Sequence, residues 1–211
     1  MLPHSPRVLH KPFKTLNTMT RKFLILSLFL LNAGPAGTQI PKPGATINRV
    51  QADYQGKRVK ARQLSVQSEI PMSVEEVWTK VQTPALLEFV AKGMIRFNPM
   101  DEGFPEKWEA GKTYSTRMRI WGILPFGGIH YLKIEKIDES KYQIATHEWD
   151  NRAKIWKHEI TLKDLGDGRT HYEDTIVIYG SGLTGLITRF ARRFYIHRQK
   201  RWQIVAEEGI D

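Results

Sequence analysis

Thr170 to Glu208 reads THYEDTIVIY, then GSG, then LTGLITRFARRFYIHRQKRWQIVAEE. Thr170–Tyr179 is a strand-like run that closes at Gly180, and Gly180-Ser181-Gly182 makes a strand-to-helix turn. A helix of about six or seven turns then runs from Leu183 to Glu208. Ile187, Phe190, Ala191, Phe194, Trp202 and Val205 recur at threes and fours, so they form one apolar stripe that must be buried. The residues before Thr170 supply the surface. Tyr114–Trp121, Ile129–Ile137, Tyr142–Trp149 and Lys154–Leu165 are strand-like runs, separated by Leu124-Pro125-Phe126-Gly127-Gly128, Asp138-Glu139-Ser140, Asp150-Asn151-Arg152 and Gly166-Asp167-Gly168. Such short connections permit only an antiparallel meander, since parallel strands need long crossovers.

Further outward, Leu64–Ile70 alternates as a strand, and Ser73 stands three residues before Glu76, the spacing of a capping box. Val74, Val77, Trp78 and Val81 make one face of the helix that follows, and Thr83-Pro84 starts a second short helix carrying Leu86, Leu87, Phe89 and Val90. Residues 93–113 are mostly loop, with a short strand over Met94–Phe97. The predicted architecture is therefore α+β: a curved antiparallel sheet of about six or seven strands wrapped on a long C-terminal helix, with two short helices after the first strand.

The 211 residues carry a net charge of +10, which invites a nucleic-acid or membrane reading. All of that excess lies in residues 1–63, which hold 11 basic residues against Asp53 alone, while residues 64–211 are balanced at 21 and 21. A nucleic-acid binder needs its basic surface on the folded body, so that partner is set aside. Phe23–Leu31 reads FLILSLFLL, preceded by Arg21-Lys22 and followed by Ala33-Gly34-Pro35-Ala36-Gly37. This is the order of a secretory signal peptide, and the run is shorter than the about 20 apolar residues of a span. Residues 1–37 are thus read as a signal peptide or N-terminal extension, with Met19 an alternative start, and 38–61 as a linker arm, with a short strand near Gly56–Val66 as the alternative. The expected location is exported, periplasmic or secreted, with an uncleaved tether as the alternative. Cysteine is absent from the sequence, which excludes a disulfide framework, a thiol nucleophile and a cysteine-bound metal.

The order of elements over residues 62–208 resembles the START-like (SRPBCC) superfamily and its helix-grip fold. Pro71-Met72-Ser73-Val74-Glu75-Glu76-Val77-Trp78 is similar to the entry of that family's first helix. Trp108-Glu109-x-Gly111 and Trp121-Gly122-x-Leu124-Pro125 are similar to loops of its polyketide cyclase/dehydrase-like branch, and Phe194-Tyr195-x-His197-Arg198-Gln199-x-Arg201-Trp202 is similar to the last helix of uncharacterised bacterial members. The resemblance implies a cavity for a hydrophobic small molecule, lipid or polyketide-like, and no cofactor.

Strand parity indicates which side chains face the helix. Met118 and Ile120, His130, Tyr142 with Glu148, Trp156 with His158, and Tyr172 with Asp174 share the inner face, though Val177 and Tyr179 leave the last strand's parity open. Phe190 and Phe194 meet them from the helix. Met118, Ile120, His130, Tyr142, Trp156, His158, Tyr172, Phe190, Phe194 and Arg198 are the expected ligand-binding residues. Arg198 falls in the middle of the apolar stripe. A buried guanidinium needs a carboxylate such as Glu148 or Asp174, whereas a long stem lets it snorkel to water, and the second reading is favoured. No local pair of metal-ligand spacing accompanies His130, His147, His158 and His171, so no metal is expected. Neither a nucleophile elbow nor a phosphate-binding glycine loop occurs.

Three functions follow. The first is binding or carriage of an apolar molecule without catalysis. The second is a cyclase- or dehydratase-type enzyme using His158 with Glu148 or Asp174. The third is a peripheral protein whose basic helix residues, Arg189, Arg192, Arg193, Arg198, Lys200 and Arg201, make a weak contact with anionic membrane. Oligomeric state is not encoded in any of these features.

Overall fold

A computed structural model describes residues 42–100 and 102–210. The segment read as a leader, residues 1–37, lies outside the described residues. Eight strands form one antiparallel sheet in the order β1-β2-β8-β7-β6-β5-β4-β3. They are β1 Gly44–Tyr54, β2 Lys57–Ile70, β3 Ile95–Pro99, β4 Thr113–Ile120, β5 Leu124–Asp138, β6 Gln143–Trp149, β7 Ile155–Gly166 and β8 Arg169–Tyr179. Helices α1 Val74–Val81 and α2 Pro84–Ala91 follow β2, and α3 Thr184–Glu208 closes the chain.

The predicted fold class and its long terminal helix are as found, but the sheet has one strand more than expected. The part of the stretch 38–61 that is described is not the linker arm expected there. From Gly44 on it is β1 and the start of β2, a hairpin whose turn residues Gln55 and Gly56 both have positive φ, 51° and 74°. Positive φ at two central residues matches the twist of a two-residue hairpin. The strand escapes the pattern search because most of β1 is exposed, so no apolar alternation marks it.

Local signals set the helices. Ser73 Oγ accepts from Glu76 N at 3.4 Å while Ser73 N donates to Glu76 Oε2 at 3.1 Å, completing the capping box. Thr83 Oγ1 accepts from Leu86 N at 3.2 Å and Pro84 occupies the first turn of α2.

Helix α3 is laid on the sheet by its stripe and fixed by polar side chains on both flanks. Gln199 Nε2 donates to Val66 O of β2 at 2.6 Å, and Gln203 Nε2 to Glu69 O at 2.9 Å. On the opposite side His197 Nε2 donates to Lys92 O at 2.9 Å, and Arg201 Nε to Phe89 O at 2.7 Å. The helix axis is therefore bonded to β2 and to the end of α2, which holds its buried face at a set height. Two apolar clusters result, one around Trp156, Phe194 and Tyr195, the other around Tyr172, Trp202 and α1.

Gly180 makes the corner between β8 and α3. A Cβ there would collide with Ile187 Cδ1 and stand 2.8 Å from Arg152 O, a backbone atom that cannot step aside. Gly180→Ala is expected to cost about 1–3 kcal/mol by overpacking, seen as a lower Tm. Gly182→Ala, which meets open space, is expected to leave Tm nearly unchanged.

Candidate functional site

Four adjacent strands each place one buried or half-buried ionisable group on the inner face: His130 on β5, Glu148 (16% exposed) on β6, His158 on β7 and Asp174 on β8. In the registers of these pairs they are diagonal neighbours, so each reaches the next across the sheet. Asp150, just past β6, extends the row behind His130. His130 Nε2 lies 3.0 Å from Glu148 Oε2, and its Nδ1 lies 3.3 Å from Asp150 Oδ2. His158 Nε2 lies 2.8 Å from Asp174 Oδ1, with its Nδ1 3.8 Å from Glu148 Oε1. The row reads carboxylate, imidazole, carboxylate, imidazole, carboxylate.

The remaining lone pairs are also satisfied. Arg152 N and Ala153 N both donate to Asp150 Oδ1 at 2.7 Å, Thr146 Oγ1 donates to Glu148 Oε1 at 2.9 Å, and Gln199 Nε2 donates to Asp174 Oδ2 at 3.0 Å. Burial alone would raise each carboxyl's pKa, but hydrogen bonds from the imidazoles and backbone, and for Asp174 the charge of Arg198, hold all three below the usual carboxylate range. Burial would lower the histidines. The hydrogen bonds and charges of Asp150 and Glu148 outweigh it at His130, raising it to about 9, and those of Asp174 and Glu148 raise His158. With an acceptor at each nitrogen, His130 is an imidazolium donating from both.

Arg198 does not snorkel. It is only 5% exposed, with its guanidinium 4.9 Å from the Tyr195 ring centre and 5.7 Å from that of Phe194. Its Nε has no hydrogen-bond partner, and no described residue hydrogen-bonds any other nitrogen of this side chain. Its helix neighbours His197 and Arg201 bond the carbonyls of Lys92 and Phe89. The negative charges of Asp174 and Glu148 act on Arg198 through space and keep it firmly protonated.

These groups border a cavity of about 90 Å³ between sheet and helix. One water needs roughly 10–15 Å³ by this measure, so a small organic molecule fits. Of the expected ligand residues, Met118, His130, Trp156, His158, Phe190, Phe194 and Arg198 line it, as does Glu148. Three do not. Ile120 lies on the inner face but at the far end of β4, and Tyr172 is fully buried in the second apolar cluster beneath Trp202. Tyr142 takes a left-handed conformation, φ 48°, at the entry to β6, which breaks the strand parity, and its hydroxyl donates to Glu75 Oε1 at 3.3 Å. Asp174 stands behind His158 rather than at the wall. Sequence reasoning missed Asp150, Thr146 and Tyr195 at the wall. Asp150 continues the parity of Glu148, a signal its turn position obscured. Phe104 and Trp108, from the loop after β3, close the opposite wall, and Trp108 N donates to Gln82 O at 2.9 Å. Among the described residues no group of three or more His, Asp or Glu side chains is placed to hold a metal ion.

Three solved structures share this architecture. The Zhui aromatase/cyclase from Streptomyces sp. R1128 superposes with a TM-score of 0.54 at 12% identity, covering 72% of the present chain and 96% of its own. Norcoclaurine synthase from Thalictrum flavum gives 0.50 at 10% identity, covering 80% and 98%. A START superfamily protein from Mycobacterium smegmatis gives 0.50 at 14%, covering 69% and 97%. The fold is the START-like helix grip. Its polyketide cyclase-like form is the one the sequence resembles, and at these identities the likeness is one of fold. No protein-family profile and no curated protein sequence matches the chain. In this START-like fold the cavity is the space the sheet leaves against α3, and here one of its walls is ionic.

The titration of His130 gives a pH dependence. Its folded pKa, about 9, exceeds the ordinary value of 6.5, so its stabilising contribution is complete below about pH 6.5 and is lost as pH rises through 9. Thermal unfolding between pH 6.5 and 9.5 is expected to show a decline worth roughly a few kcal/mol, reduced in His130→Gln to the part that His158, also raised, contributes.

Proposed function

We propose that the protein binds an apolar small molecule in this cavity, with one oxygen acceptor of that molecule seated on Arg198. A guanidinium buried among aromatic rings, with no hydrogen-bond partner, is the observation that carries the reading. Leaving such donors unpaired is costly, and a bound acceptor removes that cost. The charge balance narrows the ligand. Glu148, Asp150 and Asp174 face at most three cations, His130, His158 and Arg198. A carboxylate ligand would leave a net buried negative charge, so a ketone, ester or phenol oxygen is favoured over a free fatty acid. A lipid ester and a polyketide-like compound both meet that description. On the strength of the leader-like segment over 1–37, the reading places this binding outside the cytoplasm.

A second reading has its own support. His158 and Glu148 both reach the cavity wall, where a carbonyl held by Arg198 would lie within reach of an acid–base pair. Proteins of this fold include an aromatase/cyclase and a norcoclaurine synthase, the latter described in complex with dopamine and hydroxybenzaldehyde. Cyclisation or dehydration by this chain is the corresponding alternative.

Native mass spectrometry of the purified protein, with solvent extraction, tests the binding reading. The wild type is expected to retain a neutral apolar compound. Arg198→Lys, which keeps the charge facing Asp174 but loses the planar fork, is expected to stay folded and lose most of that compound. Full retention by Arg198→Lys, or an empty wild-type cavity, would sink it.

A further inference from the structure

The turn joining β4 to β5 exposes three large apolar side chains in succession, Trp121 at 64%, Ile123 at 72% and Leu124 at 53%. A single exposed leucine needs no explanation, but a contiguous patch that includes tryptophan does. The backbone adds a second observation. Trp121 is held at φ 51°, a conformation unfavourable for a bulky residue, and it gains no burial in return. The turn is nonetheless well anchored, with Trp121 N donating to Met94 O at 2.8 Å and Ile123 N to Ile120 O at 3.1 Å.

The patch has a cationic border. Arg96 and Arg119 are directly paired across β3 and β4, and both are exposed, with Arg117 two residues along on the same face. Like charges opposite one another are unfavourable. Among the described residues none of the three has an acidic partner within ion-pair distance. The patch also continues to the cavity. Phe126, two residues beyond Leu124, stacks on Phe190 of α3 with ring centres 5.6 Å apart, and both line the cavity. One turn before Phe190, α3 exposes Leu186 at 66%, and Arg189 and Arg193 stand exposed on either side of Phe190.

An aromatic and two aliphatic side chains projecting from a rigid turn, ringed by unpaired arginines, fit the boundary between lipid headgroups and acyl chains. There tryptophan sits at the interface and arginine meets anionic phosphate. We propose that the β4–β5 turn docks the protein on an anionic lipid surface, with Trp121, Ile123 and Leu124 inserted and Arg96 and Arg119 on the headgroups. The contact differs from the helix-borne one expected from the sequence: Arg198 is buried, Arg201 is engaged with Phe89, and the apolar patch lies on the turn. It stands apart from the cavity's occupancy, so an empty cavity would leave it intact.

The test uses the full chain with vesicles of phosphatidylserine and phosphatidylcholine whose acyl chains carry bromine, which quenches nearby tryptophan. Wild-type emission is expected to be quenched, and Trp121→Phe to lose most of that quenching while still floating with the vesicles. Arg96→Glu with Arg119→Glu is expected to lower the turn's docking, read as Trp121 quenching, by roughly tenfold or more. High salt, and vesicles of phosphatidylcholine alone, are expected to do the same. The apolar run Phe23–Leu31 could hold the chain on vesicles by itself. In that case flotation persists in every variant and Trp121→Phe leaves quenching unchanged, which overturns the proposal. A dimer seen by sedimentation, dispersed by Ile123→Ser with Leu124→Ser, in protein whose Trp121 is not quenched would also overturn it by assigning the patch to a second copy.

Discussion

Asp174 lies in β8 with no exposure to solvent, and its two oxygens are taken by His158 and Gln199. A lone carboxylate at that depth would be prohibitively costly, so its partners determine what surrounds it. Gln199 comes from α3 and bonds β2 with the same nitrogen, so solvating this one anion also seats the helix. His158 needs a second acceptor and finds Glu148, which in turn faces His130, and the row ends at Asp150 where backbone amides complete the solvation. The ionic row is thus a substitute for water, built across the sheet and closed at both ends.

A cavity beside such a row differs from a simple apolar hole. Its donors and charges are already oriented, held by bonds on their far sides, so a ligand need not reorganise them. Arg198 is the member left without a hydrogen-bond partner, its charge balanced through space and its side chain at the cavity wall. Phe104, Trp108, Met118 and Phe126 make the remainder of the wall apolar, which fixes one polar end and one oily body for whatever binds.

Much of this was legible in the chain, for reasons specific to particular residues. Alternation placed His130, Glu148, His158 and Asp174 on one face because strands hold their parity as long as the backbone stays extended. Tyr142 fails the same test because its left-handed backbone breaks that condition. Ile120 and Tyr172 show another limit: parity reports the face of a strand, not the height along it, and both lie beyond the ends of the cavity. Arg198 was misjudged because helical periodicity locates a side chain on a circle but says nothing of its neighbours. Here the guanidinium packs against the Tyr195 and Phe194 rings instead. Asp150 continues the parity of Glu148, but the turn that carries it, packed against Gly127, hid that signal.

Among the described residues β1 and β3 are the two edges of the sheet. An open edge is a template for another chain, and the hazard grows with strand length and apolarity. β3 is short and ends at Pro99, which cannot donate to a ladder. β1 is long, yet it carries Asn48, Arg49, Gln51 and Asp53 and shows polar groups along most of its length. The lack of pattern that hid this strand in the sequence is also its protection against edge-to-edge aggregation: a β1 easier to recognise, with alternating valines and isoleucines, would leave the protein prone to assembling into fibres.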